Sequence, residues 1–178
     1  KHIVFLMVAN MLPNRCYPLL SEAFSDVSAR FPDMLFLMVG RGLDYGKMKQ
    51  LEDSNPNKFR VINGCSFDEM QTIYSIADVY VHGGQEPYST ALVIGAIAGL
   101  PLVSSQAVGA AWDCLVDGDS GVLVKDHNSK EAWVTGLKRM MVLKDMWQEM
   151  GSRASMYAQQ NTIESVSQDI IGRISGLK

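Results

Sequence analysis

The chain contains 178 residues, of which 47% are hydrophobic and 20% are charged, and its formal net charge is −3. This length fits one globular domain, and the hydrophobic content is too high for an intrinsically disordered chain. The 16 basic residues are scattered among 19 acidic ones without a basic block. This excludes a broad electrostatic surface for nucleic acid or an anionic membrane, so any bound anion must be held locally by a few groups.

The cysteines and the first residues limit the compartment and the type of protein. Cys16, Cys65 and Cys114 form an odd set without Cys-x-x-Cys spacing. This pattern argues against a disulfide framework and a structural zinc site, and it favours a reducing, cytoplasmic compartment. The apolar run over residues 3–8 is too short to span a bilayer and shows no signal-peptide pattern. Because the sequence starts without Met on this predicted core strand, we expect it to be one half of a longer protein.

Short runs of β-forming residues alternate with stretches of helical periodicity, which is typical of a parallel sheet wrapped by helices. Most of these runs are apolar without polar alternation, as are strands buried on both faces. The predicted strands are Ile3–Ala9, Leu35–Gly40, Phe59–Ile62, Val79–His82, Leu102–Ser104 and Val122–Val124. The helices predicted between them are Leu19–Arg30, Tyr45–Asp53, Phe67–Ile76, Thr90–Ala98 and Trp112–Leu115.

After Lys125 the pattern becomes wholly helical, beginning with a helix over residues 130–142 that Ser129 can cap. Methionine-rich stripes at helical spacing usually pack a core. The apolar positions of this region are Trp133, Leu137, Met140 and Met141, then Met146, Trp147 and Met150, then Ile163, Val166, Ile170 and Ile174. The sequence therefore predicts one α/β domain over residues 1–178, a doubly wound, Rossmann-like parallel sheet of about six strands with a helical C-terminal tail.

In an open parallel sheet a ligand binds outside the carboxyl ends of the strands, so the loops that follow the strands carry the candidate residues. The loop after the first strand has a lone cation, Arg15. Its planar fork of donors suits phosphate oxygens, although most surface arginines only solvate a face. The next loop, Gly40-Arg41-Gly42, lacks the third glycine of a dinucleotide fingerprint, which favours a plain turn. The third loop, residues 63–66, precedes a helix with a Ser66–Glu69 capping box, and it is either a base-binding turn or an ordinary one.

The loop after the fourth strand is the most informative. Gly83 and Gly84 free the backbone, Glu86 precedes Pro87, and an apolar helix starts near Ser89. A helix N-terminus offers unpaired N–H groups and the positive end of its dipole, which suits a phosphate or pyrophosphate. Glu86 can accept hydrogen bonds from sugar hydroxyls beside it, so the spacing suits a phosphorylated sugar. The alternative is that Glu86 and Ser89 only cap the helix.

The remaining candidates carry less information. The loop over residues 104–113 either turns flexibly or contacts the distal end of a ligand. His2 and His127 look structural or solvated, and His82 ends a strand without a partner that the sequence reveals. No nucleophile–base–acid set and no metal-ligand cluster is visible, so we expect no metal.

At the fourth and fifth loops the order of residues resembles the C-terminal, donor-binding domain of a retaining glycosyltransferase of family 4, which has the two-domain GT-B fold. The resemblance covers nearly the whole chain, and the order and spacing of its elements together are specific. These elements are Phe5–Ala9, Pro13-Asn14-Arg15, Leu20–Phe24, Val39-Gly40, Gly64, Tyr74, Ala77-Asp78-Val79, Glu86–Ser89, Ala98–Pro101, Val108–Ala110, Asp117-Gly118 and Gly121.

The resemblance implies a role for each matching residue. Such a domain holds a nucleotide diphosphate sugar, and the acceptor binds the other domain across a cleft. Arg15 takes the place of a phosphate-binding lysine, and Glu86 matches the acid associated with the hydroxyls of the donor sugar. The other positions carried over are the amides of Tyr88, Ser89 and Thr90 at the diphosphate and the base-binding turn of Gly64, Cys65 and Ser66.

The chain departs from the family pattern at the ribose and at the phosphate. The second glutamate of the family, expected eight positions after Glu86 as a ribose ligand, is Ile94. The phosphate arginine, expected five positions before the lysine, is Asn10, and two expected glycines are Cys16 and Ser89. A carboxylate on a ribose diol contributes about 1.5–3 kcal/mol as a charge-assisted interaction, which isoleucine cannot supply.

Two functions of different classes follow. The first is a nucleotide-sugar-binding domain of a retaining, metal-independent glycosyltransferase of the hexosyl type, in which Arg15 and the helix amides stabilise the departing diphosphate while Glu86 orients the sugar. It needs no cofactor beyond the donor, and its expected partners are an acceptor and an N-terminal GT-B domain. Whether that domain also contacts a membrane peripherally is left open. The second is a degenerate, non-catalytic GT-B binding module, which Ile94 and Asn10 favour. A GT-B epimerase or phosphorylase is a third alternative.

Overall fold

The computed structural model describes residues 2–161 together with Gln168 and Ile171. Within these residues the strands are β1 (Ile3–Val8), β2 (Met34–Val39), β3 (Phe59–Ile62), β4 (Val79–His82), β5 (Leu102–Ser105) and β6 (Gly121–Val124). The α-helices are α1 (Tyr17–Ser28), α2 (Tyr45–Ser54), α3 (Phe67–Ser75), α4 (Thr90–Ile97), α5 (Ala111–Cys114), α6 (Lys130–Val142) and α7 (Trp147–Gln160). Short 3₁₀ segments over Pro13–Arg15 and Lys144–Met146 precede α1 and α7.

The predicted strands and helices are confirmed within the described residues, and no end is shifted by more than two residues. The helix predicted from Leu19 begins at Tyr17, because Pro18 lies in the first turn, where the N–H that proline lacks has no helical partner. The predicted helical positions Ile163, Val166, Ile170 and Ile174 lie outside the described residues. No helix that the structure describes is both long enough and apolar enough to cross a bilayer.

The six strands form one sheet in the order β3-β2-β1-β4-β5-β6, and all pairs are parallel. The predicted doubly wound, Rossmann-like fold is therefore confirmed. The strand order reverses between β1 and β4, which pair where Phe5 lies opposite Val79. At such a reversal the loops that follow the two strands diverge to opposite faces and leave a crevice at the carboxyl edge of the sheet.

Two hydrophobic clusters cover the two faces of the sheet. Side chains alternate along β1, so Phe5 and Met7 belong to one cluster and Leu6 to the other. The first cluster includes buried residues of α1 and α6, and the second includes buried residues of α3, α4, α5 and α7. In the first, Phe24 stacks on Phe36 with ring centroids 5.0 Å apart. The predicted core role of the methionine-rich stripe is confirmed for Met140, Met141 and Met150, whereas Met146 is 38% exposed.

Two predicted helix caps are confirmed. Ser66 Oγ accepts a hydrogen bond from the Glu69 amide at 3.3 Å, and the Glu69 carboxylate accepts one from the Ser66 amide at 2.8 Å. Ser129 Oγ accepts a hydrogen bond from the Ala132 amide at 3.2 Å. Each cap satisfies a first-turn donor that the helix itself leaves unpaired.

The last described helix packs against the rest of the domain at a point without side chains. A Cβ atom on Gly151 of α7 would overlap the carbonyl oxygen of Gly99, which follows α4. Near this contact, Asp119 pairs with Arg153 and accepts a hydrogen bond from the Tyr157 hydroxyl at 2.8 Å. Helix α7 is therefore fixed by a close backbone approach and by a charged cluster beside it.

Substituting Gly151→Ala should lower the free energy of unfolding by about 1–3 kcal/mol, because the added methyl group forces α7 away from Gly99. The matched control is Gly46→Ala in α2, where an added Cβ meets no atom within 4 Å. That change should leave the stability unaltered or raise it by up to about 1 kcal/mol. Urea unfolding of the three proteins measures both effects, and equal stabilities for both variants would contradict the packing described here.

Candidate functional site

The loops that follow β1 and β4 are fastened to each other above the sheet reversal. A Cβ on Gly83 would lie 2.7 Å from the Arg15 carbonyl oxygen, and a Cβ on Gly84 would overlap that of Asn14. Gly84 also has a φ of +75°, in the left-handed region that favours glycine. The Gln85 amide donates to the Asn14 carbonyl at 2.9 Å, and Asn14 Nδ2 donates to the Gln85 carbonyl at 3.1 Å. The two glycines thus allow a backbone contact that joins the loops.

Three polar side chains form a cluster at this junction. Arg15 Nη2 pairs with Glu86 Oε2, and Arg15 Nη1 donates to the Gln85 carbonyl at 2.8 Å. Glu86 Oε1 lies 2.6 Å from Nε2 of His82, whose side chain is wholly buried. The side chains of Arg15 and Glu86 are 15% and 10% exposed. The arginine and the glutamate that the sequence predicts as separate ligands of phosphate and sugar therefore contact each other in this structure.

The environment of Glu86 keeps its carboxyl group ionised. Burial by itself raises the pKa of this group, because a desolvated carboxylate is less stable than a carboxylic acid. The contact with His82, a hydrogen bond from Ser89 and the charge of Arg15 act in the opposite direction and bring the pKa of Glu86 below its ordinary value. Glu86 is thus a carboxylate at neutral pH and can accept hydrogen bonds.

His82 is the site residue that sequence reasoning missed. Its ring stacks on Tyr80 with centroids 6.3 Å apart, and Tyr80 stacks on Tyr74 at 5.7 Å. The Tyr80 hydroxyl donates to the Val8 carbonyl at 3.1 Å, and the Tyr74 hydroxyl donates to the Ala91 carbonyl at 2.9 Å. The sequence does contain one signal of this contact, a histidine four residues before an acid with two glycines between them. This spacing brings the two side chains together only if the chain turns back on itself.

Helix α4 begins beside this cluster and presents unpaired donors. Ser89 Oγ accepts a hydrogen bond from the Leu92 amide at 3.3 Å, so Ser89 caps the helix, whereas the Glu86 carboxylate contacts His82 and Arg15 instead. The backbone amides of residues 88–91 make no hydrogen bond within the described part of the chain. These amides lie at the positive end of the helix dipole, where an anion is stabilised.

The amides and the charged cluster share a cavity of about 230 Å³, here called the first cleft. Its lining residues are Val8, Ala9, Asn10, Arg15, His82, Glu86, Tyr88, Ser89, Thr90 and Ala91. Two buried nitrogen atoms of these residues, Arg15 Nε and His82 Nε2, have no aligned hydrogen-bond acceptor among the described residues. A buried unsatisfied donor costs about 1–3 kcal/mol. Arg15 Nε is therefore the atom that an acceptor oxygen of a ligand could satisfy, because His82 Nε2 already lies 2.6 Å from Glu86 Oε1.

A second cleft of about 290 Å³ adjoins the first and shares Asn10 and Ala91 with it. Gly64 and Cys65 line it, and Gly64 has a φ of +70° and packs against the Arg41 guanidinium, which a Cβ would meet at 2.6 Å. The backbone N–H and C=O of Cys65 make no hydrogen bond within the described residues. These two groups can pair with the polar edge of a flat ring.

The structure does not bring every predicted residue into these cavities. Ser66 lines neither the first nor the second cleft, because its hydroxyl and amide are engaged in the capping box of α3. Ile94 is 39% exposed, lies one turn beyond Ala91 on α4, and lines neither cleft. The lining of the second cleft contains no carboxylate. The site thus keeps the predicted backbone turn but offers no carboxylate at this end.

A third cleft of about 340 Å³ lies on the other side of Glu86. Its lining residues are Asn14, Gln85, Glu86, Pro87 and Ala107. Glu86 therefore belongs to the lining of both the first and the third cleft. Among the described residues, no group of three or more histidine, cysteine, aspartate or glutamate side chains is placed to hold a metal ion.

The solved structures that resemble this chain share its fold at low sequence identity. The pneumococcal O-GlcNAc transferase GtfA in complex with UDP and GlcNAc superposes with a TM-score of 0.82 at 14% identity, over 98% of this chain and 35% of GtfA. A mutant of S. aureus TarM with Fondaparinux, alpha-GlcNAc-glycerol and UDP gives 0.82 at 17% identity, over 97% and 36%. Anabaena HepE in complex with UDP gives 0.79 at 17% identity, over 98% and 49%.

This chain spans between 35% and 49% of the length of these three proteins. A comparison with curated protein sequences finds no match. The model of the family described as glycosyl transferases group 1 matches residues 1–158, which include the lining residues of all three clefts. The chain belongs to the glycosyl transferases group 1 family.

Proposed function

We propose that this chain is the donor-binding domain of a GT-B glycosyltransferase and that it holds a nucleotide diphosphate sugar at the reversal between β1 and β4. The observation that supports this proposal most directly is a buried cluster of Arg15, Glu86 and His82 next to the unpaired amides of α4. A ligand that fits this cluster carries an anionic group for the amides and Arg15 and hydroxyl groups for the carboxylate of Glu86. The family match and three similar structures that were solved with UDP support this assignment.

The diphosphate lies in the first cleft. The amides of residues 88–91 donate to its oxygens, and the dipole of α4 stabilises its charge. Arg15 adds the cation, although part of its charge is balanced by Glu86. Asn10 at the rim supplies an amide in place of a second cation. Developing charge on the departing nucleoside diphosphate is therefore stabilised mainly by preorganised backbone donors.

The sugar and the nucleoside lie on opposite sides of the diphosphate. The sugar enters the third cleft, where the ionised Glu86 accepts hydrogen bonds from its hydroxyls and orients it. The base enters the second cleft, where the N–H and C=O of Cys65 pair with its edge beside Gly64. The ribose meets the neutral surface of α4 around Ala91 and Ile94.

The proposed reaction is transfer of a hexosyl group, with retention and without a metal, to an acceptor held by an N-terminal domain. These finer assignments, together with membership in family 4 and a cytoplasmic location, rest on the order of motifs in the sequence. A complete charged cluster beside unpaired amides favours this transferase over the non-catalytic binding module. The described residues around Glu86 include no second carboxylate that could act as a base across the sugar.

Arg15→Ala should weaken the binding of UDP by about tenfold, since a charge-assisted contact of roughly 1.5 kcal/mol is lost. Isothermal titration with UDP, GDP and ADP measures the affinity, and the exposed Arg30→Ala is the matched control. Circular dichroism verifies that each variant is folded. If the wild-type chain binds none of these nucleotides at millimolar concentration, the donor-binding assignment is wrong.

Ile94→Glu should tighten the binding of UDP by about tenfold, because the new carboxylate accepts hydrogen bonds from the ribose hydroxyls. Ile97→Glu is the matched control, since Ile97 is also exposed and lies on the same helix one turn further from the clefts. The gain should disappear when 2′-deoxy-UDP replaces UDP. An equal gain in both variants would show a general charge effect and would contradict the placement of the ribose.

The stability that ionised Glu86 provides should depend on pH with a defined sign. Because the folded chain holds the pKa of Glu86 below its ordinary value, the carboxylate stabilises the fold above the unfolded pKa of about 4.3. This contribution is lost as the pH falls through the folded pKa. Urea unfolding of wild type and Glu86→Gln between about pH 3 and pH 8 should give a difference that is constant above about pH 5 and shrinks below about pH 4. A difference that grows toward acid would contradict the direction of the shift.

A further inference from the structure

His82 is wholly buried and contacts Glu86, the residue that is proposed to meet the sugar. We propose that His82 is a positioning residue that fixes the carboxylate of Glu86 in the orientation that selects the donor sugar. This inference rests on the proposed function, because it assigns His82 a role through Glu86.

The His82 ring is itself held firmly. It ends β4, where its backbone pairs with Ser104 of β5. Its face stacks on Tyr80 with an angle of 13° between the rings, and its Nδ1 lies 3.5 Å from the Tyr80 hydroxyl. That hydroxyl is anchored on the Val8 carbonyl at 3.1 Å. A side chain restrained by packing and by a neighbouring hydrogen bond can transmit its position to the group it contacts.

The backbone of Glu86 is fixed separately from its side chain. Its amide donates to the Ala107 carbonyl at 3.2 Å, and its carbonyl accepts from the Gly109 amide at 3.0 Å. These bonds set the position of the Glu86 Cα but leave the carboxylate free to rotate. The orientation of the carboxylate is then decided by its side-chain contacts, which are His82 at Oε1, Arg15 at Oε2 and the hydroxyl of Ser89.

The contacts of Arg15 and His82 with Glu86 should respond differently to a bound diphosphate. Arg15 lines the first cleft and is shared between Glu86 and the phosphate oxygens when the donor is present. His82 is enclosed, and its Nε2 lies 2.6 Å from Oε1 of Glu86. The two atoms are not aligned as a hydrogen bond, but because Glu86 is ionised, a proton on Nε2 makes this short contact electrostatically attractive. His82 therefore holds the carboxylate in place after Arg15 has turned toward the phosphates.

The test measures the contribution of the sugar to binding separately from that of the nucleotide. The affinities of the full chain for UDP, UDP-GlcNAc and UDP-glucose are measured by titration, and the ratio of sugar-nucleotide to UDP affinity is compared among variants. Glu86→Gln identifies the sugar nucleotide whose ratio depends most on Glu86. For that ligand, His82→Phe, which keeps the ring and removes the N–H, should lower the ratio of sugar-nucleotide to UDP affinity by about tenfold.

Two further variants decide between positioning and a merely structural role. His82→Gln places an amide N–H at a similar reach and should restore most of the ratio. In the Glu86→Gln background, His82→Phe should have no further effect, because its target is absent. The proposal is overturned if His82→Phe weakens UDP and the sugar nucleotide equally, if His82→Gln gives no rescue, or if Glu86→Gln changes neither ratio. Absence of UDP binding to the wild-type chain would instead overturn the proposed function.

Discussion

The pairing of β1 with β4 is the constraint on which the candidate site depends. These strands are neighbours although two strands and three helices lie between them in the chain, and the strand order reverses at their boundary. Their following loops therefore lead to helices on opposite faces, α1 and α4, while their first residues stay in contact. Without this adjacency Arg15 and Glu86 would belong to separate surfaces, and neither would be desolvated by the other loop.

Much of the fold could be predicted from the sequence, because buried parallel strands have apolar runs of residues and helices have amphipathic periodicity. The same reasoning identified Arg15 and Glu86, since each stands at the carboxyl end of a predicted strand. It did not predict that they touch, because that contact requires the close backbone approach at Gly83 and Gly84. The contact of His82 with Glu86 could not be predicted for a related reason, because the turn between the two residues follows a course that the opposite loop sets.

The charge balance of the site explains how a weakly acidic chain can hold an anion. Its cation, Arg15, is already paired with Glu86, so the cleft offers little net positive charge, and most of the attraction for the proposed diphosphate would come from the unpaired backbone amides. Amides do not titrate and carry no counterions that must be released. A buried pair that loses one partner leaves an uncompensated charge, at a cost of about 3–5 kcal/mol. The pair thus keeps each member ready for a ligand without exposing either charge alone in the cleft.

Different types of side chain pack beneath the two sides of the site. Beneath the β1 loop lie the thioether side chains of Met7, Met11 and Met38, all wholly buried, with the Ser21 hydroxyl 3.8 Å from the sulfur of Met38. Methionine is unbranched and polarisable and repacks at small cost, whereas stacked aromatic rings on the β4 side have few alternative arrangements. The β1 loop with Arg15 therefore packs on side chains that can repack, and the β4 side with Glu86 packs on rings that have few alternative arrangements. If a ligand requires the site to adjust, we expect the β1 loop to move and the Glu86 side to keep its position.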